Sequence, residues 1–132
     1  VFVLGSELSP LAETNRRRLL NLAGISFIGA QALPGQLAQQ RYDVIIEGIF
    51  GTGFAGRLPA EVAACCRLLN ASDGLKVALD MPTGLNGDTG DVDADVFRAE
   101  LTYTFGAYKP AHLMDAGRAV CGEIVCLDIG IQ

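Results

Sequence analysis

The sequence predicts an α/β domain built around a mainly parallel sheet, and three observations predict it. Short, continuous apolar runs alternate with stretches of helical spacing along the whole chain. One of those runs, Val44 to Ile46, ends in Glu47 and passes at once into the glycine turn Gly51-Thr52-Gly53. Finally, Glu47, Asp80 and Lys109 all fall at or just after the carboxyl ends of predicted strands. In sheets of this kind ligands bind beyond those ends. Right-handed crossovers would place helices on both faces.

The elements follow in order. Val1 to Leu4 reads as a short buried strand ended by Gly5. Ser9 and Pro10 open a helix as N-cap and first helical residue, and Leu11, Asn15, Arg18, Leu19 and Leu22 follow at helical spacing up to Gly24. Ile25 to Ile28 reads as a second strand, and Leu33 to Gln40 as a weak helix or loop. Asp43 to Glu47 is the third strand. After the glycine turn, Pro59 starts a helix with its apolar face at Val62, Cys65, Cys66 and Leu69, ending near Asn70 to Gly74. Lys76 to Leu79 is a fourth strand that runs into Asp80-Met81-Pro82-Thr83-Gly84. Gly and Asp then dominate as far as Asp95, which predicts loop. Leu101 to Phe105 and Gly122 to Asp128 complete the strands, with Gly106 to Pro110 as an exit loop.

Composition narrows the function. At 132 residues, with half of them hydrophobic and 19% charged, the chain forms one domain able to bury a core. A net charge of -5 argues against broad contact with nucleic-acid phosphates. The one basic run, Arg16-Arg17-Arg18, reads as a solvated helix face. No apolar run approaches the roughly 18 residues of a transmembrane helix, so no membrane partner is expected. Cys65, Cys66, Cys121 and Cys126 lack zinc spacing and read as reduced thiols of a cytoplasmic protein. The chain opens on Val1 inside an apolar run, so an N-terminally truncated domain is expected.

Gly51-Thr52-Gly53-Phe54-Ala55-Gly56 fits GxGxxG, and Asp80 closes the next strand as a ribose-binding acid would. Backbone N–H groups of such a turn can hold phosphate. Two details fit a hydride-transfer domain poorly: the turn follows two earlier strand–helix units, and Glu47 sets a charge beside the phosphate unless a cation or proton offsets it. Pro82 stiffens the loop that presents Asp80 and Thr83. Asp80 could accept ribose hydroxyls or handle protons. A Thr hydroxyl near a carboxylate suits a hard cation. Lys109 reads as a commonplace surface lysine with anion contact as the alternative, and His112 as non-catalytic. Asp88, Asp91, Asp93 and Asp95 lack the order of a calcium loop.

Four motifs in register carry a resemblance. DVIIEGIFGTGFAGRLP, ALDMPTGLNGDTG, LTYTFGAYKP and the closing VCLDIGI, with LSPLAETN upstream, resemble the YjeF N-terminal domain family, and the likeness runs from Val1 to Gln132. Its enzymatic members are the NAD(P)H-hydrate epimerases. The resemblance implies a Rossmann-like three-layer α/β/α sandwich, often dimeric, that interconverts the R and S forms of hydrated NADH and NADPH in cofactor repair. It also implies an ADP- or ATP-dependent dehydratase as fused domain or partner. Carried over residue by residue, it implies that Gly51, Thr52, Gly53, Phe54, Ala55, Gly56 and Arg57 contact the hydrated cofactor. Asp80 is implied to bind the same ligand and is the candidate catalytic group, while Glu47 and Thr83 are implied to hold a potassium ion. Two departures stand out: the family usually has Asp where this chain has Glu47, and its upstream Asn-Asn-Gly-Gly-Asp motif is not in this chain, from which weak or no epimerase activity is expected if the chain is complete as expressed. The competing readings are a non-catalytic, RNA-binding scaffold of the same fold family, of the mRNA-decapping type, and an NAD-dependent oxidoreductase.

Overall fold

The structure is a computed structural model that describes residues 1–3 and 8–130. It comprises two compact units, Val1–Gln40 and Arg41–Gln132. The alternation of helices with parallel strands is that of a Rossmann-like α/β/α sandwich.

In the first unit, β1 (Phe2–Val3), α1 (Pro10–Leu20), β2 (Ile28–Gly29) and α2 (Leu33–Gln39) follow in order, with a single 3-10 turn at Ala30–Ala32 before α2. β1 and β2 pair in parallel, Phe2 opposite Ile28 and Val3 opposite Gly29. The second strand therefore lies later than the expected Ile25 to Ile28, because its register is set by a two-residue partner rather than by its own apolar run. Leu4 and Gly5, expected to end the first strand, lie outside the described residues. α1 opens as its sequence dictates: the Ser9 hydroxyl accepts the Ala12 N–H at 3.2 Å, with Pro10 in the first turn. The basic run is a solvated face. Arg16 and Arg17 both donate to Glu13, at 2.7 and 2.8 Å, and with the Arg16 bond leading they hold its carboxyl down at about 2.

The second unit contains β3 (Val44–Glu47), α3 (Ala60–Ala71), β4 (Leu75–Leu79), β5 (Leu101–Phe105), α4 (Pro110–Leu113), α5 (Asp115–Cys121) and β6 (Glu123–Leu127). The strands form one parallel sheet in the order β3-β4-β5-β6. α3 buries Val62, Cys65, Cys66 and Leu69, the face its 3.6-residue period predicts, and adds Ala63. Glu47, Ala78 and Thr102 share one face of the sheet by register, and there the Thr102 hydroxyl donates to the Cys121 carbonyl at 2.7 Å, tying α5 to β5. A core of Met81, Leu85, Val96, Ala111, Val120 and Cys121 packs with Ile124 of β6. Each such side chain, fully buried, contributes about 1.5–3 kcal/mol if large. Val44, Ile46, Leu75, Leu79 and Leu127 project to the opposite face and remain exposed.

The Gly- and Asp-rich segment after Thr83 is a loop, as expected, and its own side chains order it. The Asn86 carboxamide oxygen accepts the N–H groups of Asp88 and Thr89, while Leu85 and Val92 form an antiparallel bridge. Asp93 accepts the N–H groups of Asp95 and Leu58, so this loop is anchored to the chain just beyond the glycine turn. Gly122, between α5 and β6, has φ 63, and a Cβ there would stand 2.2 Å from the Glu100 carbonyl oxygen. Only glycine permits that approach.

Candidate active site at the strand ends

The carboxyl ends of β3, β4 and β5 bring two polar clusters to one edge of the sheet. The first joins Glu47 to Thr83. Glu47 ends β3 on the helix-covered face and is buried. One carboxylate oxygen accepts the Thr83 N–H at 2.8 Å; the other accepts the Thr83 hydroxyl at 2.8 Å and the Ile49 N–H at 3.0 Å. The fully buried Thr83 hydroxyl in turn accepts the Phe50 N–H at 2.9 Å. Burial pushes the Glu47 carboxyl above its ordinary value, against the pull of these hydrogen bonds. The clasp closes the chain leaving β3 onto the loop leaving β4.

The second cluster centres on Asp80. Its φ is 70, the sole positive value at a described non-glycine residue, and the Met81 N–H donates back to the Leu79 carbonyl at 2.9 Å. This is a strained γ-turn, worth on the order of 1–3 kcal/mol of backbone cost. Its position is held by the Asp80 N–H, which donates to the Tyr103 carbonyl of β5 at 2.7 Å. One carboxylate oxygen, Oδ1, accepts from the Lys109 ammonium and, at longer range, from the Thr104 hydroxyl at 3.3 Å and the Phe105 N–H at 3.4 Å. The other, Oδ2, faces the glycine turn and lies 3.2 Å from where a Cβ on Gly51 would stand. Burial works to raise the Asp80 carboxyl, but Lys109, through its hydrogen bond and charge, and the Phe105 and Thr104 donors outweigh it. The group sits below its ordinary value and is ionised at neutral pH.

The turn itself is open. Phe54 and Leu58 are buried and pin its far side, Phe54 stacking on Phe50 with centroids 5.8 Å apart. The Phe54 N–H closes the turn on the Gly51 carbonyl at 3.2 Å. The backbone N–H groups of Gly51, Thr52, Gly53, Ala55, Gly56 and Arg57 form no hydrogen bond with another described residue. All but Gly51 are exposed. α3 starts only at Ala60, so these donors belong to the turn and not to a helix end.

Of the expected residues, Gly51 lies against Asp80, and Glu47 is hydrogen-bonded to Thr83. Lys109 corrects the sequence reading. It is no commonplace surface lysine, since its ammonium also donates to the Thr104 hydroxyl at 2.8 Å and the Phe105 carbonyl at 3.0 Å. With each proton placed on a site oxygen, it has none free for a bound anion. The signal was its position after β5; what hid its partner was the pairing of β4 with β5, which no local pattern reveals. His112 is buried beneath the pair, its Nδ1 accepting the Lys109 N–H at 3.1 Å. Burial, seconded by the Lys109 charge, lowers its affinity for a proton, in keeping with a structural role.

An exposed glycine turn, an acid at the neighbouring strand end and a parallel sheet define an α/β domain of the class whose ligand sites lie beyond the strand ends. Comparison with known proteins narrows this class. The chain belongs to the family described as YjeF-related protein N-terminus, whose model matches residues 1–111. It is 43% identical over 89 residues to a bifunctional NAD(P)H-hydrate repair enzyme of Archaeoglobus fulgidus, covering 67% of this chain and 18% of that protein. A repair enzyme of the same description from Pyrobaculum aerophilum is 36% identical over 135 residues, 99% of this chain and 27% of its own length. The NAD(P)H-hydrate epimerase of Rhodopirellula baltica is 34% identical over 116 residues, 86% of this chain and 47% of that protein. The chain therefore spans less than half the length of each of these relatives.

Among the described residues no group of three or more His, Cys, Asp and Glu is placed to hold a metal ion. None of the described helices is long and apolar enough to cross a membrane.

Proposed function

We propose that this chain carries the epimerase site of a nicotinamide-cofactor repair enzyme, which interconverts the R and S forms of hydrated NADH and NADPH. The observation that supports it best is the open turn at Gly51 to Arg57, whose N–H groups, Phe54 apart, find no partner among the described residues and whose first residue, Gly51, stands beside the ionised Asp80. A pyrophosphate suits the first, and a ribose hydroxyl or a cationic ring suits the second. Epimerisation needs no redox partner: the C–O bond breaks as the ring nitrogen's lone pair forms C=N. The hydroxyl leaves as water with a proton from solvent, and water then adds to the opposite face and returns a proton. Ionised at neutral pH, Asp80 stabilises the positive charge on the planar iminium and is not the proton donor.

The Glu47–Thr83 clasp fits a potassium ion. It offers hard oxygen donors around a buried carboxylate that no cationic side chain among the described residues neutralises. Held by Glu47 and Thr83, such an ion would supply the positive charge that offsets the buried carboxylate. A dehydratase acting on one epimer would complete the repair, as a fused domain or as a partner, and a homodimer is the expected assembly.

The test takes the purified R form of hydrated NADPH and follows the R-to-S ratio by chromatography with the full-length protein. Acceleration over the spontaneous rate is expected, and Asp80→Asn should lower kcat by roughly 100- to 1,000-fold. No acceleration together with no binding of the hydrated cofactor would overturn the proposal.

A further inference from the structure

The site asks two things of Asp80, that it stay ionised and that Oδ2 keep facing the glycine turn, and its own backbone favours neither. A strained γ-turn relaxes if its contacts are lost. The Thr104 and Phe105 donors reach Oδ1 only at 3.3 and 3.4 Å, too long to fix a carboxylate. The one close contact comes from Lys109, whose side chain is 18% exposed against 21% for Asp80. Lys109 is itself held from both ends. Its N–H donates to buried His112, and its ammonium reaches Thr104 and Phe105 at the end of β5.

We propose that Lys109 is the positioning residue of this site: by clamping Oδ1 of Asp80 against the end of β5, it presents Oδ2 to the turn at Gly51 as a fixed, charged acceptor. Its action runs through Asp80, and it does not contact the ligand. The charged and titratable groups against Asp80 are few. Among the described residues, Lys109 and His112 come from the segment following β5, β5 contributes the neutral Thr104 hydroxyl and Phe105 N–H, and the turn after β3 approaches through Gly51. Among the described residues, Lys109 is therefore the only side chain against Asp80 that adds positive charge at neutral pH.

The kinetic consequence rests on the proposed epimerase reading, but the positioning role is measurable without it. Carbon-13 labelling of aspartate carboxyls, with Asp80→Asn to assign the resonance, gives the titration midpoint of Asp80 in the wild-type protein and in Lys109→Met, Lys109→Gln and Lys109→Arg. Replacement by Met or Gln should raise the midpoint by about one pH unit or more, whereas Arg keeps the charge and should hold it near the wild-type value. The second neutral variant guards against misfolding of the first. His112 is followed separately through its imidazole resonances. In epimerisation assays the neutral variants should lose on the order of tenfold or more in kcat with KM little changed, and the acid limb of the pH profile should move upward. A midpoint unchanged in the folded neutral variants would overturn the inference even if the wild-type protein epimerises. A midpoint that moves as described in a protein that never epimerises would sink the proposed function and leave Lys109 in its role.

Discussion

Replacing Thr83 by Val tests the clasp that joins β3 to β4, because it removes a hydroxyl while keeping shape. The hydroxyl donates to Glu47 at 2.8 Å and accepts the Phe50 N–H at 2.9 Å, and Thr83 has no exposed surface. A hydrogen bond to a charged group is worth about 1.5–3 kcal/mol, and one between neutral groups about 1 kcal/mol. Water cannot replace either at a fully buried site, so Thr83→Val should cost roughly 2–4 kcal/mol. Thr83→Ser keeps both bonds and loses one methyl, a cost near 1 kcal/mol. Equilibrium urea unfolding in potassium-free buffer measures both variants. The Glu47 carboxyl, already raised by burial, should rise further in the Val variant. A raised folded-state value means that Glu47 contributes its stability below its unfolded value and loses it as pH rises through the folded one. The deficit of Thr83→Val should therefore shrink as pH falls and Glu47 takes up a proton. A loss below about 0.5 kcal/mol, or one equal to that of Thr83→Ser, would refute the assignment of the clasp.

Three further outcomes follow. Gly51→Ala places a Cβ about 3.2 Å from Asp80 Oδ2; since that contact is tight but not prohibitive, unfolding stability should change by less than about 1 kcal/mol while affinity for hydrated NADPH, read by calorimetry, falls by about tenfold. Adding potassium chloride in place of choline chloride should raise the thermal midpoint of the wild-type protein, and Glu47→Gln should abolish the rise; an equal rise in both proteins would remove the cation from the site. In native-state alkylation followed by mass spectrometry, half-buried Cys126 should label first. Cys66 and Cys121, buried with thiols pushed up to about 12 and about 11 by burial above all, should label only as the protein unfolds.

The helix from Ala60 was legible because Val62, Cys65, Cys66 and Leu69 repeat at helical spacing, and burial on the sheet preserved that face. β3, β4 and β5 were legible as apolar runs, although on the covered face they bury Ile45 and Ala78 together with the polar Glu47, Thr102 and Thr104. The pair of short helices α4 and α5 was not, since each has fewer residues than a period-based reading needs. β2 shifted because a two-residue strand takes its limits from its partner. In the site, the glycine turn, Asp80, Glu47 and Thr83 announced themselves by residue type at strand ends. The strain at Asp80 did not, because a left-handed aspartate has no signature beyond the residue itself.

By itself the sequence determined the parallel α/β architecture and the identity of the groups at the sheet edge, because period and strand-end chemistry are local properties. Only tertiary structure decided how those groups are shared out. Parallel pairing of β4 with β5 sets Leu79 opposite Tyr103, which brings Asp80 to Lys109 across 29 residues of chain, and pairing of β3 with β4 sets Glu47 opposite Ala78, which brings Glu47 to Thr83 across 36. Those long-range pairs fix which carboxylate is ionised and open to a ligand and which is buried and bound to its neighbours, since a carboxylate's charge follows its surroundings and not its place in the chain.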